Sequence, residues 1–266
     1  MLSKLSVAVF IILLSTSAIA APKRIISTIP CITETLFALG LEDRVVGVTE
    51  NCNYPAGARG KEKVGREIVN TEKVIALKPD LVLMLEDAQR PDIEKLKKFN
   101  LPVKTVNPHK VDEVLDSIKQ IGEITGTEKR AEEIVADIRA RLDRVQQKSS
   151  GHSRPKVFLV VGYRPLITTG SGTFVGDILK LSGGENVVSA SRSPYPEWSF
   201  ETLIKADPDV IVIMDGVVEQ REVLSDKRWA SLSAVRNSRV IFIDPDIISR
   251  PGPRVINAVE LLAELF

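Results

Sequence analysis

The sequence predicts an α/β fold of two Rossmann-like lobes, each with a parallel sheet, joined by a single long backbone helix. Three observations predict it. Short apolar strands alternate with helical segments, one structural template occurs twice, and an amphipathic stretch free of Gly and Pro lies between the two copies.

The template is a capping residue, a glutamate two positions on, an apolar stretch, then Pro-Asp and a strand. Its first copy runs from Asn70 and Glu72 to Pro79-Asp80 and into residues 81–84. The second runs from Ser199 and Glu201 to Pro208-Asp209 and into residues 210–214. Glutamate precedes proline by seven positions in both (79 − 72 and 208 − 201). Two related lobes are therefore expected, each with one acidic residue at the same point.

The elements follow in order. Residues 24–29 form an apolar strand stopped by Pro30, and 33–39 a helix closed by Gly40, which tolerates a left-handed cap. Residues 45–48 are a second strand, and the template adds a short helix and the strand 81–85. Residues 93–99 are helical and 102–106 a strand before Asn107-Pro108. The second half repeats this logic: strand 156–161, helix 174–181 before Gly183-Gly184, the template strand 210–214, helix 229–235, strand 240–243 and helix 254–265. Between the halves, 111–124 is helical, and 129–147 carries Ile134, Ile138, Leu142 and Val145 at spacings of three and four. A helix of that length spans about 30 Å, enough to cross between lobes. One stiff connector predicts modest lobe movement on binding.

The expected organisation is a signal peptide at 1–20, a first lobe at 21–126, a connecting helix at 127–150 and a second lobe at 151–266. Lys4, an apolar run over 5–14 broken only by Ser6, and Ala18-Ile19-Ala20 make the signal peptide, with cleavage near Ala20. No cysteine follows that cleavage site, so export without a lipid anchor is expected.

Composition narrows the function. A formal net charge of +1 and no basic cluster interleaved with aromatics argue against nucleic acid as a partner. There is no G-x-S-x-G, no H-E-x-x-H and no Gly-Lys-Ser/Thr phosphate loop, and the only histidines are His109 and His152. The Gly170 to Gly176 run has the wrong spacing for a dinucleotide loop and reads as a tight turn into a helix. An exported hydrolase is therefore the weaker reading, and no catalytic residue, cofactor or protein-held metal is expected.

Ligands of parallel α/β lobes sit beyond the carboxyl ends of the strands. Those loops bring forward Pro30, Cys31, Asn51, Tyr54, Tyr163 and Arg250 as candidate ligand contacts, with Arg66 for an anionic ligand edge. The proline-stiffened loop 192–198 adds Tyr195 and Trp198, whose flat rings suit a broad, partly apolar ligand. Cys31 and Cys52 follow the first and second strands, at the same sheet end; in an oxidising compartment they are expected to form a disulfide, with free thiols the alternative.

Several motifs in order resemble one family. They are Arg24-Ile25-Ile26-Ser27, Thr33-Glu34-Thr35-Leu36, Val45-Val46-Gly47-Val48-Thr49, Tyr54-Pro55, Leu77-Lys78-Pro79-Asp80, Thr169-Gly170-Ser171-Gly172-Thr173-Phe174, Gly183-Gly184-Glu185-Asn186 and Arg250-Pro251-Gly252-Pro253-Arg254. Together they look like the helical-backbone substrate-binding proteins of ABC importers, which serve cobalamin, haem, ferric siderophores and some metal ions. Within that family the chain looks closest to the members that bind cobalamin. The resemblance implies a periplasmic, monomeric receptor that hands a metal chelate, cobalamin or a related corrinoid, to a dimeric permease with a cytoplasmic ATPase. A ferric siderophore or haem is the alternative cargo. It also implies that Glu72 and Glu201 dock on permease arginines and that Tyr195 is the second lobe's stacking residue. Arg66 stands in place of a first-lobe aromatic, and the region after the second strand offers Asn51.

Overall fold

The computed structural model describes residues 21–188, 191 and 193–266, apart from the side chain of Leu224; the expected signal peptide and Arg192 lie outside the described residues. The first sheet comprises β1 (Ile25–Ser27), β2 (Val45–Val48), β3 (Glu62–Lys63), β4 (Leu81–Leu85) and β5 (Val103–Val106), in spatial order β3-β2-β1-β4-β5. Every neighbouring pair is parallel. The connections carry α1 (Pro30–Ala38), α2 (Ala56–Arg59), α3 (Thr71–Ala76) and α4 (Glu86–Lys98). The strand order changes direction at β1, which opens a crevice beyond the carboxyl ends there. Helix α4 begins at Glu86, ahead of the expected 93, and kinks at Gln89 before Pro91. Gln89 is drawn out of helical geometry because its side chain ties Thr28 and Leu85 together.

Two helices follow, α5 (Val111–Thr125) and α6 (Glu128–Ser149). Gly126 between them is left-handed at φ 70°, a conformation that suits glycine. At 22 residues, α6 is about 33 Å long. It packs on α5 and reaches the second lobe's helices.

The second sheet holds β6 (Lys156–Gly162), β7 (Ile167–Thr168), β8 (Glu185–Asn186), β9 (Val210–Met214) and β10 (Val240–Ile243), ordered β10-β9-β6-β7 with β8 also on β6. The pairs β6–β9, β9–β10 and β6–β8 are parallel, whereas β7 folds back antiparallel on β6, a hairpin the strand-helix alternation does not announce. The helices are α7 (Phe174–Leu181), α8 (Phe200–Ala206), α9 (Gln220–Ser225), α10 (Lys227–Ala230), α11 (Ser233–Arg236), α12 (Pro245–Ile248) and α13 (Val255–Leu265). The single helix expected at 229–235 is broken, because Leu232 is extended and the Ser233 N–H donates to Asp207 instead.

Strand alternation sorts the core. Ile25, Leu81, Leu83, Val157, Leu159, Val210 and Val212 face one continuous apolar cluster that runs through α6 and α13 and joins the lobes. Their neighbours point the other way, Ile26, Val82 and Met84 into one outer cluster and Phe158, Val160, Ile211 and Ile213 into another. A core shared across both lobes resists wide opening, since close-packed interiors deform little.

The two template copies fold alike. Asn70 and Ser199 cap α3 and α8, each accepting the N–H three residues on. Lys78 and Asp207, each just before the proline, are both left-handed, at φ 44° and 37°. Asp80 then accepts the Lys23 and Arg24 N–H groups at 2.8 Å, and Asp209 the Lys156 N–H at 2.7 Å. The Pro-Asp aspartate thus pins the start of the neighbouring strand in each lobe.

Candidate functional site

A cavity of about 520 Å³ lies beyond the carboxyl ends of β1, β2 and β4, where the first sheet changes direction. Its walls are Thr28 to Pro30 after β1, Thr49 to Asn51 and Asn53 after β2, Ala88 and Gln89 in α4, and Asp246 and Arg250 from the second lobe. Arg66 and Glu67 enter from a tight turn at 65–69. Gly65 there has φ 135°, and a Cβ would sit 2.2 Å from the Ile68 carbonyl oxygen, so only glycine fits.

The second lobe is fastened to this cleft by a partly buried polar network centred on Glu34. Glu34, 3% exposed in an otherwise apolar face of α1, accepts from Arg254 Nε at 2.7 Å and Nη2 at 2.7 Å. It also accepts from Arg250 at 3.0 Å, and Arg250 donates to Asn53 Oδ1 at 2.8 Å and pairs with Asp246 at 2.6 Å. Asn53 Nδ2 returns a bond to Asp246 at 2.9 Å. The hydrogen bond from the Glu34 carboxylate pushes the Arg254 guanidinium's pKa up. Two cations and two carboxylates nearly cancel here, which suits burial.

The free polar groups of the cleft are more varied. Arg66 has only a loose pairing with Glu67 at 3.9 Å, and both are open to solvent. Asn51 donates to Glu67 at 3.0 Å. The lining therefore holds amides, threonine hydroxyls and both signs of charge, with Thr28, Thr49, Asn53 and Gln89 hydrogen-bonded within the protein, and among the described residues none of its side chains is an imidazole, thiol, thioether or phenol. Among the described residues, no group of three or more His, Cys, Asp or Glu is placed to hold a metal ion.

Of the expected ligand contacts, Pro30, Asn51, Arg66 and Arg250 line the cavity. Five do not. Cys31 is buried in the core, and Tyr54 lies beneath the Arg254 guanidinium, 4.1 Å from its ring centre. Tyr163 is a core residue, 6.1 Å from the Trp229 ring and edge-on to Phe200, held in the outer apolar cluster of the second lobe. Trp198 packs on Phe158 at 5.2 Å, and its N–H bond to Leu166 turns the ring inward. Tyr195 is 49% exposed outside the cavity lining, and its phenol pKa is raised by what burial it has.

The expected disulfide is corrected as well: Cys31 and Cys52 are free, buried thiols. Cys52 Sγ takes a hydrogen bond from Thr33 at 3.1 Å and lies 3.2 Å from the Thr49 hydroxyl. Cys31 is instead covered by Gly252, where a Cβ would press on the Cys31 carbonyl at 3.1 Å. Burial pushes the Cys31 thiol up to about 12, with the nearby Glu34 charge adding to it.

Glu34, Asn53, Asp246 and Arg254 were not singled out by sequence. Glu34 had a signal, a glutamate inside an apolar helix face. Glu72 and Glu201 are exposed in the first turns of α3 and α8, with no ion pair or side-chain hydrogen bond among the described residues. A short connection returns each helix to the start of its strand, so both first turns lie toward the cleft end. The glycine-rich run is a structural turn: Thr173 caps α7, and a Cβ at Gly176 would sit 2.3 Å from the Gly170 oxygen. A separate cavity of about 440 Å³ lies among Arg144, Lys148, His152 and Glu260, at the C-terminal end of α6 beside Arg154 and Pro155, which precede β6.

A polar cleft between two α/β lobes that share one core defines a binding protein for a small molecule. Residues 25–247 match the family model described as periplasmic binding protein. The chain is 41% identical over 251 residues to an uncharacterised ABC transporter substrate-binding lipoprotein, YvrC, of Bacillus subtilis, covering 91% of this chain and 79% of that one. It is similar to the periplasmic vitamin B12 binding protein BtuF of Vibrio cholerae, with TM-score 0.81 and 28% identity over 92% of this chain and 96% of that one. A periplasmic haem binding protein from Pseudomonas aeruginosa gives TM-score 0.80 and 27% identity over 92% of each chain. The chain belongs to the periplasmic binding protein family and is a substrate-binding protein of an ABC transporter. Among the described residues, no helix is long and apolar enough to cross a membrane.

Proposed function

We propose that this protein carries cobalamin or a related corrinoid through the periplasm to a dimeric permease with its cytoplasmic ATPase. In this reading residues 1–20 are removed near Ala20, and lobes 21–126 and 151–266 hold the ligand across the helix 127–150. One observation carries the choice of cargo: the cleft is rich in amides and hydroxyls with mixed charge, and no lining side chain is of a type that commonly ligates haem iron. Such a lining suits a bulky ligand whose metal is already fully coordinated and whose rim carries amides, as a corrin's does. Asn51 would meet that rim, with Arg66 and Arg250 near any acidic edge. The likeness to a vitamin B12 binding protein supports it.

Titration with cyanocobalamin by calorimetry and visible absorbance tests this, with one site at micromolar or tighter Kd expected. No binding at high micromolar ligand rejects cobalamin. The likeness to a haem binding protein favours a second reading, a haem or ferric-chelate cargo, and a Soret shift on titration with hemin would establish it.

Glu72 and Glu201 dock the receptor on the permease in this proposal. Their support is matched placement, exposure and lack of partners. Replacing both with alanine should leave ligand affinity within twofold and sharply reduce transport in proteoliposomes. Unchanged transport would remove the docking role.

A further inference from the structure

The template places a second matched pair on the surface. Ile75 lies three residues after Glu72, and Ile204 three residues after Glu201. They are 42% and 40% exposed, and both are among the few large apolar side chains of the described residues left open to solvent. From the glutamate onward the burial pattern of the two helices agrees: Val74 and Leu203 are fully buried, and the residues on either side are exposed. Residues three apart are neighbours on a helix surface, so each glutamate and its isoleucine form one face. An isolated exposed isoleucine needs no explanation. Two at equivalent positions of two lobes, each beside an unpaired carboxylate, are a shared design.

We propose that Ile75 and Ile204 are apolar anchors for the same permease dimer that Glu72 and Glu201 meet, so that each lobe presents a charge-plus-isoleucine pair to one half of a two-fold partner. This rests on the docking reading above and adds to it the other half of each contact. The partner's chemistry follows: each half must offer a basic side chain next to an apolar recess, and the two must be related by the symmetry that relates the lobes. A carboxylate on an exposed rim steers encounter and is screened by salt, whereas a buried isoleucine holds the complex after encounter and is not. The occupant is a symmetric dimer and not a single site, because the two faces sit at equivalent positions of the two lobe templates, one for each half of the partner.

The test is the affinity of the full-length mature protein for the cognate permease–ATPase complex in nanodiscs, measured by interferometry between 50 and 500 mM salt. Ile75→Ser with Ile204→Ser is expected to raise Kd at least tenfold, mostly through faster dissociation, with the salt dependence unchanged. Ile75→Met with Ile204→Met is expected to retain affinity within threefold, and each variant's thermal midpoint confirms that it is folded. Glu72→Gln with Glu201→Gln is expected to weaken binding and flatten the salt dependence. If the glutamate pair weakens binding but the serine pair does not, the anchor inference is overturned and the docking reading stands. If neither weakens binding, the docking reading fails and the inference with it. A serine pair and a methionine pair that weaken binding equally would also overturn it, since size and apolarity would not be what counts.

Discussion

Glu34 and Arg254 meet through two 2.7 Å hydrogen bonds between groups 220 residues apart in sequence, one from each lobe. The pair is bidentate, and Arg250 adds a third bond to the same carboxylate. It fixes the segment that carries Asp246 and Arg250 against the first lobe, and so sets one wall of the cleft.

Removing Glu34 should therefore be severe. Glu34→Ala leaves the Arg254 guanidinium in a largely buried place without its anion, while Arg250 keeps Asp246, and unfolding free energy is expected to fall by about 3–5 kcal/mol. Urea denaturation at pH 7 measures it. Glu34→Gln keeps an acceptor oxygen and should lose less.

The thiols give a pH signature. Alkylation with iodoacetamide at pH 8 should label neither cysteine in the folded protein and both in guanidinium. Cys31 has a folded pKa raised to about 12 by burial. An unfolded thiol titrates near about 8.5. A raised acid contributes stability that is full below the unfolded pKa and is lost as pH rises toward the folded one. The thermal midpoint should thus fall above pH 9, and less steeply in Cys31→Ala.

Asp80 and Asp209 do the same work in different lobes. Each Asp→Ala variant removes charge-assisted bonds to N–H groups at or just before a strand's start, and each is expected to lose about 1–2 kcal/mol. The double variant should lose the sum to within about 0.5 kcal/mol, because the sites share no partner.

Trp198 and Tyr195, two positions of one loop, should behave oppositely. Trp198→Ala vacates space against Phe158 and should lower stability, up to the about 3–5 kcal/mol of a fully buried tryptophan. Tyr195→Ala should stay within about 0.5 kcal/mol of the parent. Any fall in cyanocobalamin affinity with Tyr195→Ala would make it a ligand contact, and an unchanged Kd would remove it from the site.

Much of the architecture was legible because it is local. Apolar runs bounded by Pro and Gly marked β1, β4, β6 and β9, and the long stretch free of breakers marked α6. The template was readable as a repeat, and both copies are capped, left-handed before proline and pinned by aspartate. Less was legible where a distant partner overrides local preference. Gln89 leaves helical geometry to reach Thr28, and Ser233 breaks an expected helix to reach Asp207.

The site divides the same way. Pro30, Asn51, Arg66 and Arg250 could be named because strand ends and turn residues announce where loops lie. Sequence spacing could not say that Tyr163 and Trp198 turn inward, nor that Cys52 meets the Thr33 and Thr49 hydroxyls. The amino-acid order by itself determined two α/β lobes, one connector and two matched glutamates, since periodicity, caps and repeats act over a few residues. Only the tertiary structure decided which side chains face the cleft. That depends on pleat register and on contacts such as Glu34 with Arg254, whose partners meet only once both lobes are packed on a common core.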